Sequence, residues 1–152
     1  MLTAVEQTRL RVSKNTEAKR KSQLGQFLTP ARTAQFMAGL FISKDSLDCR
    51  LLDAGAGIGS LSSAFLERCI ADELTFRKVE VTAFELDNLI HEELNDLLSS
   101  YKNRLPFAYE ILGNDFIEQA VNRIQFDFGN GFTHAILNPP YKKISSNSRY
   151  RL

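Results

Sequence analysis

Apolar residues recur along the chain with two periods, and the two alternate. Ala34, Met37, Leu40 and Phe41 lie on one helical face, with Thr29 placed to cap that helix and Pro30 to enter its first turn. Ser43 to Asp48 is a polar connection. Arg50-Leu51-Leu52-Asp53 is a short strand, Ala54 to Gly59 a glycine-rich turn, and Leu61, Phe65 and Cys69 then mark a second helix. Val79 to Phe84 is a second strand ending at Glu85. Asp87 precedes a helix whose apolar positions are Ile90, Leu94, Leu97, Leu98 and Tyr101. Phe107 to Leu112 is a third strand, closed by Gly113-Asn114-Asp115-Phe116. A short helix or irregular stretch from Ile117 to Ile124 leads through the turn Gly129-Asn130-Gly131 to a fourth strand, Thr133 to Leu137, apolar enough to be buried. Residues 1–22 are polar, with no strong period, and predict an N-terminal helix or arm. Strands alternating with helices predict an α/β fold of about four parallel strands with flanking helices and right-handed crossovers.

In such a sheet the ligand crevice lies beyond the carboxyl ends of the strands. The unusual residues fall there. Asp53 to Gly59 follow the first strand, Glu85 the second, Asp115 the third and Asn138 the fourth. The last of these opens Asn138-Pro139-Pro140-Tyr141. Two prolines cannot donate to a ladder, so this is a stiff loop. It holds a side-chain amide, the Pro139 carbonyl and the Tyr141 ring close together. Such a set suits a flat, amino-bearing base, with two acceptors for the amino group and a ring to stack on. Taken alone, the four residues also allow the lesser alternative of a loop that only ends a strand.

The glycine turn narrows the ligand. Asp53-Ala54-Gly55-Ala56-Gly57-Ile58-Gly59 is G-x-G-x-G, and Ser60 stands where a dinucleotide fingerprint would carry its third glycine. The acid before the turn disfavours a pyrophosphate and favours a cation. Glu85 can accept from two ribose hydroxyls, and Asp115 from an adenine amino group with Phe116 against the ring. A nucleoside with a positive, amino-acid-like arm meets all of these, and S-adenosylmethionine is such a molecule.

Composition adds bounds. A chain of 152 residues with 43% hydrophobic content predicts one soluble domain with a real core. It has no apolar run long enough to span a bilayer and no signal-peptide pattern. Cys49 and Cys69 lack metal-ligand spacing, Cys69 reads as core, and no metal is expected; a cytoplasmic, reducing home fits. Net charge is +1 but uneven. Arg9, Arg11, Lys14, Lys19, Arg20, Lys21 and Arg32 outweigh Glu6 and Glu17 at one end. Lys142, Lys143, Arg149 and Arg151 follow the last acid, Asp127, at the other. Such ends are either solvated surface or a phosphate-facing surface.

With these residues in view, the chain resembles N6-adenine DNA methyltransferases of the gamma arrangement, found in restriction–modification systems. Gly25-Gln26-Phe27-Leu28-Thr29-Pro30 resembles the family's motif X and Asp53 to Gly59 its motif I. Phe84 to Asp87 resembles motif II, Asn114 to Phe116 motif III and Asn138 to Tyr141 motif IV. The resemblance runs from about Lys19 to Leu152 and implies a Rossmann-like fold that uses S-adenosylmethionine. It implies that Thr29 and Pro30 contact the methionine end of the cofactor, and that Asp53, Ala54, Gly55 and Gly57 form its bed. Glu85 would hold the ribose, and Leu86, Asp115 and Phe116 the adenine. Asn138 and the Pro139 carbonyl would accept from the target amino group, with Tyr141 stacked on the flipped base.

The implied partner is double-stranded DNA with the target adenine flipped out. Residues 1–24 would be a basic helix or arm and 25–152 the N-terminal part of the catalytic domain. The family continues after motif IV with more of the sheet and a target-recognition domain. The resemblance therefore also implies a missing C-terminal half or a recognition subunit. N-P-P-Y is shared with methyltransferases of protein glutamine and RNA guanine, which stay open as alternatives, as does an inactive remnant that only binds the cofactor.

Overall fold

The computed structural model describes residues 2–15, 28–42, 47–126 and 131–139. Within them the chain runs α1 (Leu2–Asn15), α2 (Ala31–Gly39), β1 (Asp48–Ala54), α3 (Ser60–Ile70) and β2 (Lys78–Phe84). A short 3-10 turn (Asn88–Ile90) leads into α4 (His91–Ser99), followed by β3 (Phe107–Leu112), α5 (Phe116–Phe126) and β4 (His134–Ala135). The four strands form one sheet in the order β3-β2-β1-β4, and every pairing is parallel.

The alternation along each strand divides the sheet's two faces. Cys49, Leu51, Val79, Val81 and Ala83 belong to the main core with Ala34 and Ala38 of α2, Leu61, Ala64, Phe65 and Leu66 of α3, and Leu94 and Leu98 of α4. The opposite side of the strand ends carries a smaller cluster of Leu52, Ala54 and Phe84, against which Leu112, Phe116 and Phe132 pack. Tyr101 is fully buried. Its hydroxyl meets Ser63 Oγ at 2.7 Å and donates to Glu67 Oε1 at 2.9 Å, so the phenol brings its polar end into the core satisfied.

Three local expectations change. Thr29 does not cap α2. Pro30 occupies the N-cap position without a side-chain cap, and the first N–H of the helix, on Ala31, donates to Glu6 Oε2 at 3.0 Å. The acid comes from α1, which the sequence left without a clear face. Val5 and Val12, seven residues apart on that helix, are buried in a cluster with Ile58 and Ile90. The fourth strand is shorter than the apolar run. Only His134 and Ala135 pair, with Leu51 and Leu52, and Ile136 is the buried member of the segment while Leu137 is exposed. Among the described residues it has one strand neighbour, and the rigid Pro139 follows soon after. The turn at Gly129-Asn130 lies outside the described residues, although Gly131 accepts from Arg50 Nε at 2.7 Å.

Candidate active site

Register places the strand ends level. Ala54 pairs with Phe84 and Phe84 with Leu112, so the segments leaving β1, β2 and β3 emerge at one edge. Backbone bonds tie these segments together. Gly55 and Ala56 both donate to the Phe84 carbonyl at 2.9 Å, and Glu85 N–H donates to the Leu112 carbonyl at 3.0 Å. The turn needs its glycines: Gly55, Gly57 and Gly59 all have positive φ. At Gly59 a Cβ would also lie 2.9 Å from the side chains of Leu94 and Leu97, whereas at Gly55 it would meet nothing within 4 Å.

Glu85 is the brace of this turn. Its Oε2 accepts from Gly57 N–H and its Oε1 from Asp87 N–H, each at 2.8 Å. Burial raises its carboxyl above the ordinary range, against the pull of those two amides. Asp87 in turn accepts from Leu89 N–H at 3.1 Å and caps the 3-10 turn.

Asp53 is fully buried. Its Oδ2 accepts from the Ser62 hydroxyl at 2.6 Å and the Ser62 N–H at 3.3 Å. Burial pushes its carboxyl up to about 6. The Ser62 bonds oppose that rise, and the like charge of Glu85 adds to it. Asp53 Oδ1 and Ser60 Oγ are the two buried side-chain polar atoms, among the described residues, with no hydrogen-bond partner. Such atoms are costly unless a ligand or water completes them. Two acids with raised carboxyls, an orphan acceptor and a glycine turn suit a cation that also carries hydroxyls, and suit a phosphate poorly.

The third and fourth strand ends supply the rest. Asp115 Oδ1 accepts from Ile117 N–H at 2.9 Å, so this acid starts α5. Phe116 packs edge-on against Phe84 with ring centroids 5.3 Å apart. Leu86 is 54% exposed at the mouth. Beyond β4, Asn138 Nδ2 donates to Thr29 Oγ1 at 3.2 Å, bringing together residues 109 apart in sequence. Pro139 is exposed beside it. Pro140, Tyr141 and Gly25 to Phe27 lie outside the described residues. Pro30 is exposed, next to the buried Thr29. The structure thus joins Asp53, the glycine turn and Glu85 through direct bonds or charge, and Asn138 to Thr29.

Reading the sequence missed Ser62, which holds Asp53, and Glu6, which holds the start of α2. Ser62 carried no signal, since a serine on a helix face is ordinary. The seven-residue spacing of Val5 and Val12 was the available sign that α1 docks. Among the described residues no group of three His, Cys, Asp or Glu side chains could hold a metal ion, and no helix is long and apolar enough to cross a membrane. Cys49 and Cys69 are free thiols that burial pushes up to about 12.

A parallel sheet ordered β3-β2-β1-β4, with a glycine turn after β1 and an acid after β2, is the Rossmann-like fold of methyltransferases. A solved structure of a putative RNA methyltransferase, PH1948 from Pyrococcus horikoshii, matches 88% of this chain and 56% of its own, with a TM-score of 0.52 at 24% identity. Among curated proteins, the chain is 43% identical over 158 aligned positions to the type II methyltransferase M.BsuBI of Bacillus subtilis, covering 99% of this chain. It is 31% identical over 137 positions to the type II methyltransferase M.PstI of Providencia stuartii, covering 86%. A tRNA1(Val) (adenine(37)-N6)-methyltransferase of Shewanella woodyi is 35% identical over 106 positions, covering 67%. The chain spans 30%, 26% and 37% of the lengths of these three relatives, respectively. No protein-family model matches it.

Proposed function

We propose that the protein provides the S-adenosylmethionine site and the target-amino site of an N6-adenine DNA methyltransferase of the gamma arrangement, acting on a base flipped out of duplex DNA. The reading rests above all on the meeting of Asn138 with Thr29 at the edge where Asp53 and Glu85 converge. An amide suited to an amino group and two acids suited to a cation, all on segments leaving the same ends of parallel strands, support this reading. The extended likeness to type II methyltransferases supports the same class.

The residues present fit the cofactor. Asp53, through its unpartnered Oδ1, offers an acceptor to a positive methionine arm, with Thr29 and Pro30 at the same end. Ala54, Gly55 and Gly57 let a ligand approach the backbone. Glu85 holds the ribose hydroxyls while bracing Gly57, and Leu86, Asp115 and Phe116 receive the adenine. When bound, the cofactor supplies an electrophilic methyl on a sulfonium. This chain's residues do the positioning. Asn138 Oδ1 and the Pro139 carbonyl would accept hydrogen bonds from the target amino group and draw its delocalised lone pair out of the ring plane, and the one proton that the nitrogen loses on methylation would pass to water. Tyr141 stacks on the base. The basic segments near both ends would track phosphates. Free thiols at Cys49 and Cys69 suit a reducing cytoplasm.

The tRNA methyltransferase relative favours a second reading, adenine N6 of RNA. Both are tested by supplying labelled S-adenosylmethionine with duplex DNA, with transfer RNA, and with each substrate lacking adenine. Label in adenine of DNA alone supports the first reading. Label in RNA alone replaces it with the second, and label in neither refutes both.

A further inference from the structure

We propose that Ser62 is a positioning residue for Asp53, holding one oxygen of its carboxylate so that the other is left for the positive arm of the cofactor. The proposal rests on the reading of Asp53 as a cofactor acceptor and deepens it. Helix α3 opens at Ser60 behind Gly59, which has no side chain to close the first turn. Asp53 supplies that acceptor from β1. Its Oδ2 accepts from the Ser62 hydroxyl at 2.6 Å. It also accepts at 3.3 Å from the Ser62 N–H, one of the first-turn donors that a helix cannot satisfy by itself. A charged carboxylate only accepts, so the sense of both bonds is fixed. Neither residue is exposed to solvent, and Asp53 Oδ1 meets no partner. A residue that only capped α3 would have no use for a second buried oxygen, and leaving one unmatched is costly.

The same two bonds keep Asp53 charged. Burial drives its carboxyl up, the Ser62 hydroxyl and N–H draw it back, and the like charge of Glu85 beyond β2 adds to the rise, which leaves it at about 6. At neutral pH the group is therefore mostly an anion. Without the Ser62 hydroxyl the opposing pull weakens, and the carboxyl keeps its proton to higher pH. A protonated acid has no charge to offer an ammonium group. Charged and titratable groups on the other elements around β1 are engaged elsewhere. Glu67 of α3 pairs with Arg104 and Tyr101, and Arg68 with Glu73 and the Ala38 and Phe41 carbonyls. His134 of β4 meets Thr133 and Cys49, and Glu6 and Arg9 of α1 hold each other. Ser62 thus both aims Asp53 and sustains its charge.

Calorimetry of the whole chain with S-adenosylmethionine, from about pH 5 to about pH 8.5, tests this. Binding strengthens as Asp53 loses its proton and weakens as the α-amino group of the cofactor loses its own, ordinarily near about 8. Ser62→Ala removes the hydroxyl but keeps a strong helix former, and Asp53 can meet the loss by taking a proton. It is expected to move the acid limb up by about one pH unit and to leave the alkaline limb in place. Affinity should fall about fivefold or more near about pH 6, and by less near about pH 8, where only the aim is lost. Asp53→Asn has no charge to sustain, so adding Ser62→Ala to it should change Kd less than about threefold. In protein labelled with carbon-13 at its carboxyls, the Asp53 signal is assigned by its loss in Asp53→Asn. It should titrate about one pH unit higher in Ser62→Ala. An acid limb and an Asp53 titration that stay in place, or an equal loss of affinity in the Asp53→Asn background, would overturn the proposal, because Ser62 would then only support α3. A wild type that does not bind S-adenosylmethionine defeats the cofactor reading, and the Asp53 titration still decides whether Ser62 sustains its charge.

Discussion

Asp53→Asn is expected to make the ligand-free protein more stable at about pH 8 and to weaken its hold on S-adenosylmethionine. Asp53 is fully buried and titrates at about 6 against an ordinary value of 3.8, chiefly because burial penalises its charge. A gap of about two pH units corresponds to roughly 3 kcal/mol. The folded pKa is the raised one. This group's contribution to stability is therefore complete below about pH 4 and is lost as pH rises through about 6. Asparagine carries no such term. It keeps an oxygen for the Ser62 bonds but puts an NH2 where Oδ1 has no partner, a cost of about 1–2 kcal/mol. The balance at about pH 8 is a variant roughly 1–2 kcal/mol more stable than wild type, with the advantage gone near pH 4. Urea melts across that range measure it. Calorimetry at about pH 8 should show cofactor binding weaker by about 1.5–3 kcal/mol, since a charged acceptor has been removed. A stability difference of the same sign and size at both pH extremes would refute the reasoning, because Asp53 would then not be a strained charge.

Three further outcomes follow from the same geometry. Gly55→Ala should cost about 1–2 kcal/mol from its positive φ alone. Gly59→Ala should cost about 1–3 kcal/mol more, because its Cβ meets Leu94 and Leu97; equal losses in urea melts would contradict the packing described. On the proposed reading, Asn138→Ala in the completed protein should lower methyl transfer to DNA about 10²–10³-fold with cofactor affinity nearly unchanged, and lost cofactor binding with retained turnover would reverse its role. Tyr101→Phe leaves Ser63 and Glu67 without their shared partner and should destabilise by about 1–3 kcal/mol in the same melts; no change would mean water replaces the phenol.

The strand ends were legible because each is announced twice, by an apolar run that stops and by a polar residue that follows. β3 falls on Phe107–Leu112 as the pattern predicts, β1 extends its expected run by three residues and β2 by one. The glycine turn was legible because positive φ selects glycine. What stayed hidden was long-range satisfaction of polar groups. Thr29 before Pro30 looks like a helix cap in any local reading. Only the folded chain shows Glu6 supplying that bond from another helix while Thr29 serves Asn138 instead. In the same way Glu85 looked free to hold a ligand, and both of its oxygens also bind backbone amides. Apolar periodicity reports which face is buried and is silent on which donor meets which acceptor.

The separation of the site's two halves along the chain sets an order of assembly. β1, the glycine turn, β2 and Glu85 lie within residues 48–85, and their mutual bonds close short loops. The Asn138–Thr29 bond closes a loop of 109 residues, and β4 reaches β1 only after everything between them has been made. Loop-closure entropy and synthesis from the N-terminus both favour the short closures first. A nascent chain emerging from the ribosome would accordingly hold the glycine turn already braced by Glu85 while Asn138 is still unsynthesised.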